Sequence, residues 1–527
     1  MKNPNSIEAL QKTFPHEIHS MEIKNNNEIY LKIEKNAIPA MAKFLHDDSS
    51  CPLINIIGTD ERVRDGMFKL YFVFSDDRRD LFIIFQVDLE KNHPEYPSIT
   101  PFIHAASWYE RENQDLLGIK PLGHPYPFPL VLHAPGPDGY FPLRKNFDFK
   151  EFPIKRKEHW NPPPVSGEGV FEIPVGPVHA GIIEPGHFRF SVVGDTILNL
   201  AARLFYKHRG IEKRTEGKTF LEALFLVERI SGVGSFSHSA AYCQALERLA
   251  GISVPLRAAY LRTLFLELER LYNHIGDVGN LCAGTGLIVG NAQGAILKER
   301  LMRLNMSLTG HRYLFGINKP GGLRKDISSN QIREVLKTLE VVEKEFSNLL
   351  GLILASSSNL DRLEGTGILT KETAKDHSVV GPAGRASGID RDCRRDHPHA
   401  AYNKITFSVP VYHYGDVLAR MKVRVEEVQQ SFQMIRQVLQ NLPPGEIEGD
   451  LPPISPYQTG LGFSESPRGE IIHWIMTGPD QTIFRFKIRS PSFCNWHVVP
   501  ETVPGNIVPD FPLINKSFEL SYAGCDR

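Results

Sequence analysis

The sequence predicts an α+β protein: a small N-terminal α+β domain is followed by a large, mainly helical domain with small β elements. Three observations predict this. Short β-branched and aromatic runs occupy the first 150 residues, a proline-rich stretch follows at 121–165, and later segments carry apolar residues at helical spacing. With 527 residues, 41% of them hydrophobic, the chain can form about two to four domains with buried cores.

The N-terminal strands are predicted from local pattern. Residues 29–33 and 69–75 alternate or are rich in β-branched and aromatic residues, and 81–87 is a fuller apolar run. The following stretch contains Gly-His-Pro-Tyr-Pro-Phe-Pro and Asn-Pro-Pro-Pro, which fit neither a helix nor a central strand. It is therefore predicted to be an extended connector. We expect one domain over 1–155, a linker over 156–167 and a second domain over 168–527.

Long helices are predicted in the second domain. Residues 239–249 and 256–275 have helical apolar spacing and are separated by Gly251 and Pro255. Two more long amphipathic segments lie at 331–358 and 415–442, and their apolar stripes are typical of core packing. A hairpin is predicted over 471–488, around Gly478.

Composition excludes several functions. A net charge of −1 argues against nucleic acid as the main partner. The six cysteines are scattered and form no Cys-x-x-Cys pair, so we expect no metal or iron–sulfur cluster held by this chain alone. No apolar run approaches the roughly 20 residues of a membrane span, and the N-terminus lacks a signal-peptide core. No Gly-x-Gly-x-x-Gly follows a strand, which argues against a nicotinamide site.

Three ordered motifs characterise the N-terminal domain. Residues 108–119 read Trp-Tyr-Glu-Arg-Glu-Asn-Gln-Asp-Leu-Leu-Gly-Ile; Gly-His-Pro follows at 123–125 and Pro-Leu-Arg-Lys-Asn-Phe at 142–147. In order and spacing they resemble the 30-kDa hydrophilic subunit of respiratory complex I, which packs beside the quinone-site subunit. A charged surface helix that enters a glycine turn would explain the composition, but not the ordered set.

Motifs throughout the second domain carry a further resemblance. They include Glu-Pro-Gly-His-Phe-Arg at 184–189, and others at 176–179, 206–213, 272–279, 319–322, 381–390, 467–470 and 487–491. This domain resembles the 49-kDa quinone-site subunit of complex I. It is more similar still to the large subunit of group 4 nickel–iron hydrogenases of the formate hydrogenlyase and hydrogenase-4 type. Fusion of both domains in one chain is also typical of that type.

The metal-ligand positions depart from the hydrogenase pattern. In those hydrogenases two Cys-x-x-Cys pairs hold the metals, and here the pairs read Ser231 and Gly234, then Ser521 and Gly524. A serine hydroxyl is a poor ligand where soft thiolates are needed, and glycine offers no side chain. The resemblance therefore implies a hydrogenase-like scaffold without its metal centre.

The same resemblance implies roles for five cavity-lining residues. Glu184 lies near the place of a proton-passing glutamate, and His187 at that of the histidine that contacts the quinone headgroup. His238 follows the first ligand pair at the hydrogenase spacing, Arg468 matches the arginine above the metal site, and Arg385 lies in another cavity-lining motif. Such a cluster can relay protons. Each residue alone would more often be a structural, salt-bridged charge.

At two further positions, the chain lacks residues that complex I uses to bind its quinone. Where complex I has its headgroup tyrosine this chain has Gly232, and the aspartate paired with the quinone histidine corresponds to Gly284 or a neighbour. Asp277, Glu267 and Glu269 are expected on a helix surface, where acidic residues are usually solvated. If they were buried at the contact with a membrane partner, they could instead transmit a charge change.

Two alternatives remain open at the metal site. A rearranged site could use Cys243, Cys494 and Cys525, although ligand geometry must hold within a few tenths of an ångström. An active hydrogenase would require nickel, whose four thiolate positions are lost.

The leading hypothesis is a peripheral-arm subunit of a complex I-like, hydrogenase-related oxidoreductase that couples redox chemistry to ion translocation. Electrons would come from a small partner subunit with a 4Fe–4S cluster, near the loop at 229–238, and pass to a small acceptor that resembles a quinone. Membrane subunits would hold the chain at the cytoplasmic, inner face of the cell membrane. The alternative is a non-catalytic scaffold that joins the cluster subunit to the membrane arm.

Overall fold

A computed structural model describes residues 6–25, 27–133, 140–148, 160, 162–180 and 183–527. The chain divides into two compact units, Met1–Pro164 with Asp376–Ser378, and Val165–Lys375 with Val379–Arg527. Part of the predicted linker, residues 156–159 and 161, lies outside the described residues. Among the described helices, none combines the length and the apolar character that a membrane crossing requires.

A five-stranded mixed sheet forms the centre of the first unit. Its strand order is β1-β2-β5-β4-β3, in which β2 and β5 run parallel and the other neighbours antiparallel. Two very short strands, β6 and β7, pair beside it. The elements in chain order are α1 (Ser6–Thr13), β1 (Ile18–Lys24), β2 (Glu28–Ile33), α2 (Ile38–Lys43), β3 (Leu53–Asp60), β4 (Phe68–Asp76), β5 (Leu81–Leu89), β6 (Glu95–Pro97), α3 (Ser107–Leu117) and β7 (Lys120–Leu122).

Helix α3 packs on β3 through polar side chains. The Asn113 amide donates to the Ile56 carbonyl and accepts from the Gly58 amide, both at 3.1 Å. Asp115 accepts hydrogen bonds from the amides of Leu130 and Val131 at 2.7 and 2.8 Å. The helix ends at Gly118, whose positive φ of 74° suits a left-handed cap. Its acidic motif residues therefore fix the fold rather than face solvent.

The second unit combines helices with two three-stranded antiparallel sheets, β10-β9-β8 and β13-β14-β15. Helix α6 packs on β13, and α7, α8, α9 and α14 pack together as long helices. The strands are β8 (Val170–Val175), β9 (His187–Val193), β10 (Thr196–Arg203), β11 (Asn318–Lys319), β12 (Gly322–Leu323), β13 (Thr459–Ser466), β14 (Gly469–Thr477) and β15 (Ile483–Arg489). The helices are α4 (Ile211–Thr215), α5 (Phe220–Val227), α6 (Ser235–Leu249), α7 (Leu256–Thr285), α8 (Ile288–Thr309), α9 (Ser329–Ala355), α10 (Ser357–Leu363), α11 (Lys371–Asp376), α12 (Gly381–Ala386), α13 (Cys393–Asp396), α14 (Val417–Gln440), α15 (Pro491–Asn495), α16 (Phe511–Phe518) and α17 (Tyr522–Asp526).

Glycines allow α7 and α8 to cross closely. A Cβ on Gly279 would lie 2.8 Å from the Gly294 Cα, and one on Gly294 would lie 2.6 Å from the Gly279 Cα. A Cβ on Gly290 would meet the Cys282 sulfur at 2.7 Å. Real side chains do not fit at these separations, so the backbones themselves form the contact. This crossing fixes α7, which carries many of the site residues, against its neighbour.

The fold class is confirmed, and most predicted elements are present. The strands at 29–33, 69–75 and 81–87 correspond to β2, β4 and β5, and the hairpin around Gly478 is β14–β15. The helices at 239–249, 256–275, 331–358 and 415–442 correspond to α6, α7, α9 with the start of α10, and α14. Helix α8 was not predicted, because Ile288 and Val289 on its exposed side obscure an amphipathic pattern. The sheet β8–β10 was also missed.

The α7–α8 crossing gives a stability prediction. Gly294→Val should lower the free energy of unfolding of the purified chain by about 1–3 kcal/mol, because the new side chain overpacks the helix contact. Urea unfolding followed by circular dichroism measures this. Gly351→Val is the matched control, since nothing lies within 4 Å of a Cβ at that helical position. Equal stability of the two variants would contradict the close crossing.

Candidate functional site

We call Ser231, Gly234, Ser521 and Gly524 the ligand-type positions, because the resemblance places the metal-holding cysteines of hydrogenases there. Three of these four positions lie close together. Ser231 and Gly234 lie in the turn between α5 and α6, where the Gly234 amide donates to the Ser231 carbonyl at 3.2 Å. Ser521 caps α17, and its hydroxyl accepts from the Gly524 amide at 2.9 Å. A Cβ on Gly524 would lie 3.3 Å from the Ser231 Cβ and 3.2 Å from the Ser521 Cβ. At Gly234 a Cβ would instead face Ser466 and His238, at 3.7 and 3.8 Å.

These residues do not fit a nickel–iron centre. They offer two hydroxyls and no thiolate, whereas such a centre needs soft ligands. The close approach of Gly524 to Ser231 and Ser521 is tighter than ordinary van der Waals contact, so even one added Cβ would force a shift. The Ser231 hydroxyl is buried and has no hydrogen-bond partner among the described residues. Across those same residues no three His, Cys, Asp or Glu side chains are arranged to hold a metal ion.

Arg468 reaches this region from the turn between β13 and β14. Its guanidinium forms a bidentate pair with Asp277 of α7, with one bond of 2.9 Å. Arg424 of α14 lies 3.4 Å from the same carboxylate, and Glu519 lies 3.8 Å from Arg468. Burial alone would raise the pKa of Asp277, but Arg468, His274 and Arg424 outweigh it and hold this pKa well below its usual range. Asp277 is therefore ionised.

A chain of buried charges continues from this pair to Arg385. His274 Nδ1 lies 3.6 Å from the Asp277 carboxylate, and its Nε2 lies 2.9 Å from Glu427. Glu427 accepts from Arg385 at 2.7 Å, and Arg385 also donates to Glu465 at 3.0 Å. Burial tends to raise the pKa of Glu427, but Arg385, His274 and a further arginine hold it well below its ordinary value. We call this set, from Arg468 to Glu465, the buried charge chain.

The expectation that Glu267, Glu269 and Asp277 are solvated is wrong. Their exposed fractions are 0%, 0% and 4%. Helix α7 is covered on nearly all sides, so each carboxylate has partners on other elements; Glu267, for example, pairs with Arg394 at 3.3 Å. Glu269 accepts from the Phe236 amide at 2.8 Å. Acidic residues on a helix are expected to be exposed only if no other part of the chain supplies a partner for them. Here distant residues supply such partners, so the carboxylates are buried.

The segment that contains the predicted residues Glu184 and His187 lies close to the C-terminal motif at 521–527. Glu184 accepts a hydrogen bond from the Ala523 amide at 2.8 Å, and a Cβ on Gly186 would meet the Tyr522 ring at 2.6 Å. His187 begins β9 and is partly exposed. Gly284, which was predicted, with its neighbours, to stand where complex I has an aspartate, is closely packed: a Cβ there would lie 3.0 Å from the side chain of Leu513.

His238 forms a pair that the sequence did not reveal. Its Nδ1 lies 3.0 Å from Nε2 of His473, and the rings stack with centroids 5.2 Å apart. Burial, and then the charge of Arg209, lower the pKa of His238 to about 3. Burial, followed by His238, also holds the pKa of His473 well below its usual value. Both imidazoles are therefore neutral near pH 7, and one donates its N–H to the other.

The chain matches three models of known protein families. The family described as respiratory-chain NADH dehydrogenase, 49 Kd subunit, matches residues 290–460 and 453–527. The corresponding 30 Kd subunit family matches 31–153, and nickel-dependent hydrogenase matches 209–283. Formate hydrogenlyase subunit 5 of Escherichia coli is 35% identical over 99% of this chain and 93% of its own length.

The chain belongs to this family of hydrogenase and complex I subunits. Hydrogenase-4 component G of Escherichia coli is 34% identical over 99% of the chain and 92% of its own length. The C/D subunit of the NADH-quinone oxidoreductase of Phocaeicola vulgatus is 30% identical and covers 81% of the chain and 86% of its own length. The resemblance to the hydrogenase-4 and complex I subunits is thus confirmed, including its two-part organisation.

One residue beside the ligand-type positions was missed, although its motif was noticed. Arg209 donates to the carbonyls of Arg229, Ile230 and Ala523, at 2.6, 2.7 and 3.0 Å. Ala523 lies between the second pair of ligand-type positions, and Ile230 directly precedes the first. Arg209 therefore fastens together the two segments that carry the ligand-type positions. Only its place in the motif at 206–213, not any pairing rule, could have indicated this role.

Glu212, three residues after Arg209, forms ion pairs with three cationic side chains. It lies 2.9 Å from Arg485, 3.4 Å from Lys487 and 3.3 Å from Arg527. Burial alone would raise its pKa, but Lys487, Arg485 and Arg527 lower it to about 2. The carboxylate thus ties α4 to β15 and to Arg527, which directly follows α17.

The buried charge chain gives a testable prediction. Asp277→Asn should cost about 3–5 kcal/mol of unfolding free energy, because Arg468 and Arg424 lose their carboxylate. Urea unfolding of the purified chain measures this. The double variant Asp277→Asn/Arg468→Met should lose less than the sum of the single variants, and Asp361→Asn at an exposed position should change little. Additive losses would contradict the pairing.

Glu212 gives a pH prediction. Since its pKa is lowered from 4.5 to about 2 on folding, its contribution is complete above pH 4.5 and is lost as the pH falls toward 2. The expected contribution is about 3 kcal/mol. Glu212→Gln should flatten the fall in unfolding free energy over this acid range, measured by urea titration at successive pH values. Glu372→Gln, on an exposed helix turn, should leave the fall unchanged.

Proposed function

We propose that this family member is a peripheral-arm subunit that accepts electrons from a small iron–sulfur partner without holding a nickel–iron centre, and that the complex couples this to ion translocation. The observation that carries the proposal is the combination of lost ligands with a retained buried charge chain. Serine and glycine occupy the ligand-type positions, while Arg468, Asp277 and Arg385 are buried and form ion pairs.

The surface beside the turn at 229–234 supports docking of the electron donor. Phe225 is 58% exposed, and the Arg229 guanidinium lies 5.0 Å from the centre of the Phe315 ring. A groove of about 270 Å³ lies next to it, lined by Arg214, Lys218, Glu222, Phe225 and Leu226. Exposed aromatic and arginine side chains are enriched at protein interfaces. A 4Fe–4S cluster bound by the partner at this surface would approach the Ser231 region.

The acceptor that we propose is a small oxygen-bearing molecule of the quinone type. The buried Ser231 hydroxyl and the Arg468 Nε have no hydrogen-bond partner among the described residues, and either could bond to a carbonyl oxygen of the acceptor. A complex I-type histidine–aspartate pair is not involved, because Leu513 closes the Gly284 position. The relatives named as NADH-quinone oxidoreductase subunits make this class of acceptor reasonable. The chain itself would stay at the cytoplasmic face, bound through membrane subunits.

Metal analysis of the intact complex tests the first part of the proposal. Nickel should be far below stoichiometric, and dihydrogen oxidation and evolution should both be absent, because no thiolate is available at the four positions. Stoichiometric nickel together with dihydrogen turnover would refute it. Purification from a strain without other hydrogenases is the necessary background.

A scaffold without electron transfer is the second candidate, and the close packing of Gly524 against Ser231 favours it. Rapid-freeze spectroscopy of the partner's cluster after reduction distinguishes the two. If electrons pass through this site, Arg468→Ala should slow reoxidation of the cluster at least tenfold. The control Arg303→Ala removes an exposed arginine, 77% accessible, and should have no effect. Equal rates in the two variants would support the scaffold.

A further inference from the structure

Glu269 differs from the other buried acids of α7 in its partners. It has no exposed surface, and no lysine, arginine or histidine in the described part of the chain comes within 4 Å of its carboxyl group. On the same helix, Glu267 pairs with Arg394 at 3.3 Å and Asp277 pairs with Arg468 at 2.9 Å. An ionised carboxylate is costly in the interior without such a cation. Glu269 therefore requires another form of stabilisation.

The described hydrogen bonds to this carboxyl group come from the first turn of α6. Its Oε1 accepts from the Phe236 amide at 2.8 Å, and its Oε2 accepts from the Ser237 amide at 3.0 Å and from the Ser237 hydroxyl. Neither residue carries a charge. Backbone amides can only donate, but a hydroxyl can donate or accept. The contact between the Ser237 hydroxyl and Glu269 therefore persists whether the carboxyl group is ionised or protonated.

The charged and titratable groups near Glu269 are few. Arg270 follows it on α7, but the Arg270 guanidinium already pairs with Glu267 and with Glu427, each at 3.3 Å. Tyr272 lies one turn further along the helix, and its buried hydroxyl has no hydrogen-bond partner among the described residues. The nearest full charge is thus shared with other carboxylates, which leaves a proton as the remaining means of neutralising Glu269.

Tyr272 connects this region to the surface. Its ring meets the Tyr313 ring edge to face, with centroids 6.4 Å apart, and Tyr313 is 38% exposed. The Ser235 hydroxyl donates to the Tyr313 carbonyl at 2.7 Å, so the segment that carries Tyr313 lies against the start of α6. The two phenols therefore extend from the neighbourhood of Glu269 to solvent, from which a proton can enter.

Glu269 also lies beside the turn that carries the first ligand-type positions. Phe236 follows Gly234 by two residues, and the Asn273 amide, one turn from Glu269, donates to the Val233 carbonyl at 3.0 Å. Burial raises the pKa of Glu269 to about 7, although its hydrogen bonds act in the opposite direction. A negative charge about 10 Å away in a protein interior raises the pKa of a carboxyl group by about one further unit. A charge at this turn therefore changes the protonation of Glu269 near neutral pH.

We propose that Glu269 is an internal proton-binding site that takes up one proton from solvent when an electron reaches the Ser231 region. The carboxylate becomes a carboxylic acid, and the charge of the proton balances that of the electron. The electron comes from the partner's iron–sulfur cluster and the proton from water, and the O–H bond of the acid is the one bond formed at Glu269. The coupling to electron arrival rests on the proposed function, whereas proton binding near neutral pH does not.

Proton binding is tested on the purified chain, without an electron donor. Because folding raises the pKa of Glu269 above its ordinary value of 4.5, the stability of the chain should fall as the pH rises from 4.5 to about 7. Glu269→Gln should remove this contribution, so the unfolding constant of the unchanged chain should rise about a hundredfold relative to the variant over this range. Urea unfolding at successive pH values measures this. Glu340→Gln, at an exposed position of α9, is the control and should show no such change.

Infrared spectroscopy provides a second measurement that does not depend on stability. The C=O band of protonated carboxyl groups in the folded chain should lose one component as the pH rises through about 7. Glu269→Gln should lack this component, and Glu269→Asp should retain it with a changed frequency and midpoint. If the glutamine variant does not fold, the aspartate variant makes the assignment. An unfolding ratio that stays constant with pH, or a band that neither variant alters, would overturn the proposal.

The intact complex tests the coupling to electron arrival. Reduction of the partner's cluster should increase the protonated-carboxyl band at pH 8, and Glu269→Gln should abolish this increase while Glu340→Gln keeps it. An increase that persists in Glu269→Gln would overturn the coupling. If no electron leaves the cluster in the unchanged complex, the proposed function fails alone, because the titration of the purified chain assigns the proton site independently.

Discussion

The structure of the second unit depends on the need to give each polar or charged side chain that α7 carries into the interior a partner. This helix of 30 residues is buried along most of its length, yet Arg262, Glu267, Arg270 and Asp277 all lie on it. An unpaired charge in such a place costs several kcal/mol, so each must meet a partner. The partners come from α6, α14, β13 and the segment after α12. These elements are held in place because the charges of α7 require them.

This requirement applies to residues that lie outside the ligand-type positions. The bidentate pair between Arg468 and Asp277, and the contacts of Arg385 with Glu427 and Glu465, involve no ligand-type residue. Removal of one charged member would leave its partner buried and unpaired. Arg209 adds a second, independent constraint, because it fastens the two segments that carry the ligand-type positions through backbone carbonyls alone. The geometry around the ligand-type positions is thus kept by residues that do not stand at those positions.

The sequence predicted most of the helices and strands because the spacing of apolar residues and the positions of glycine and proline are local properties of the chain. The hairpin at Gly478 and the helices around Gly251 and Pro255 follow from them directly. The helix α8 did not, since its apolar residues lie on both sides. Pairing is a long-range property, and so the burial of Glu267 and the stacking of His238 on His473, 235 positions away, had no local signal. The roles of Glu184, His187 and the other predicted cavity residues remain predictions that rest on family resemblance.

The tight approach of Gly524 to Ser231 has a consequence for attempts to place a cysteine at this position. A Cβ on residue 524 would lie 3.3 Å from the Ser231 Cβ and 3.2 Å from the Ser521 Cβ, so both neighbours would have to shift by a few tenths of an ångström. A designer who wished to install a thiolate pair on α17 would therefore have to adjust the turn between α5 and α6 at the same time.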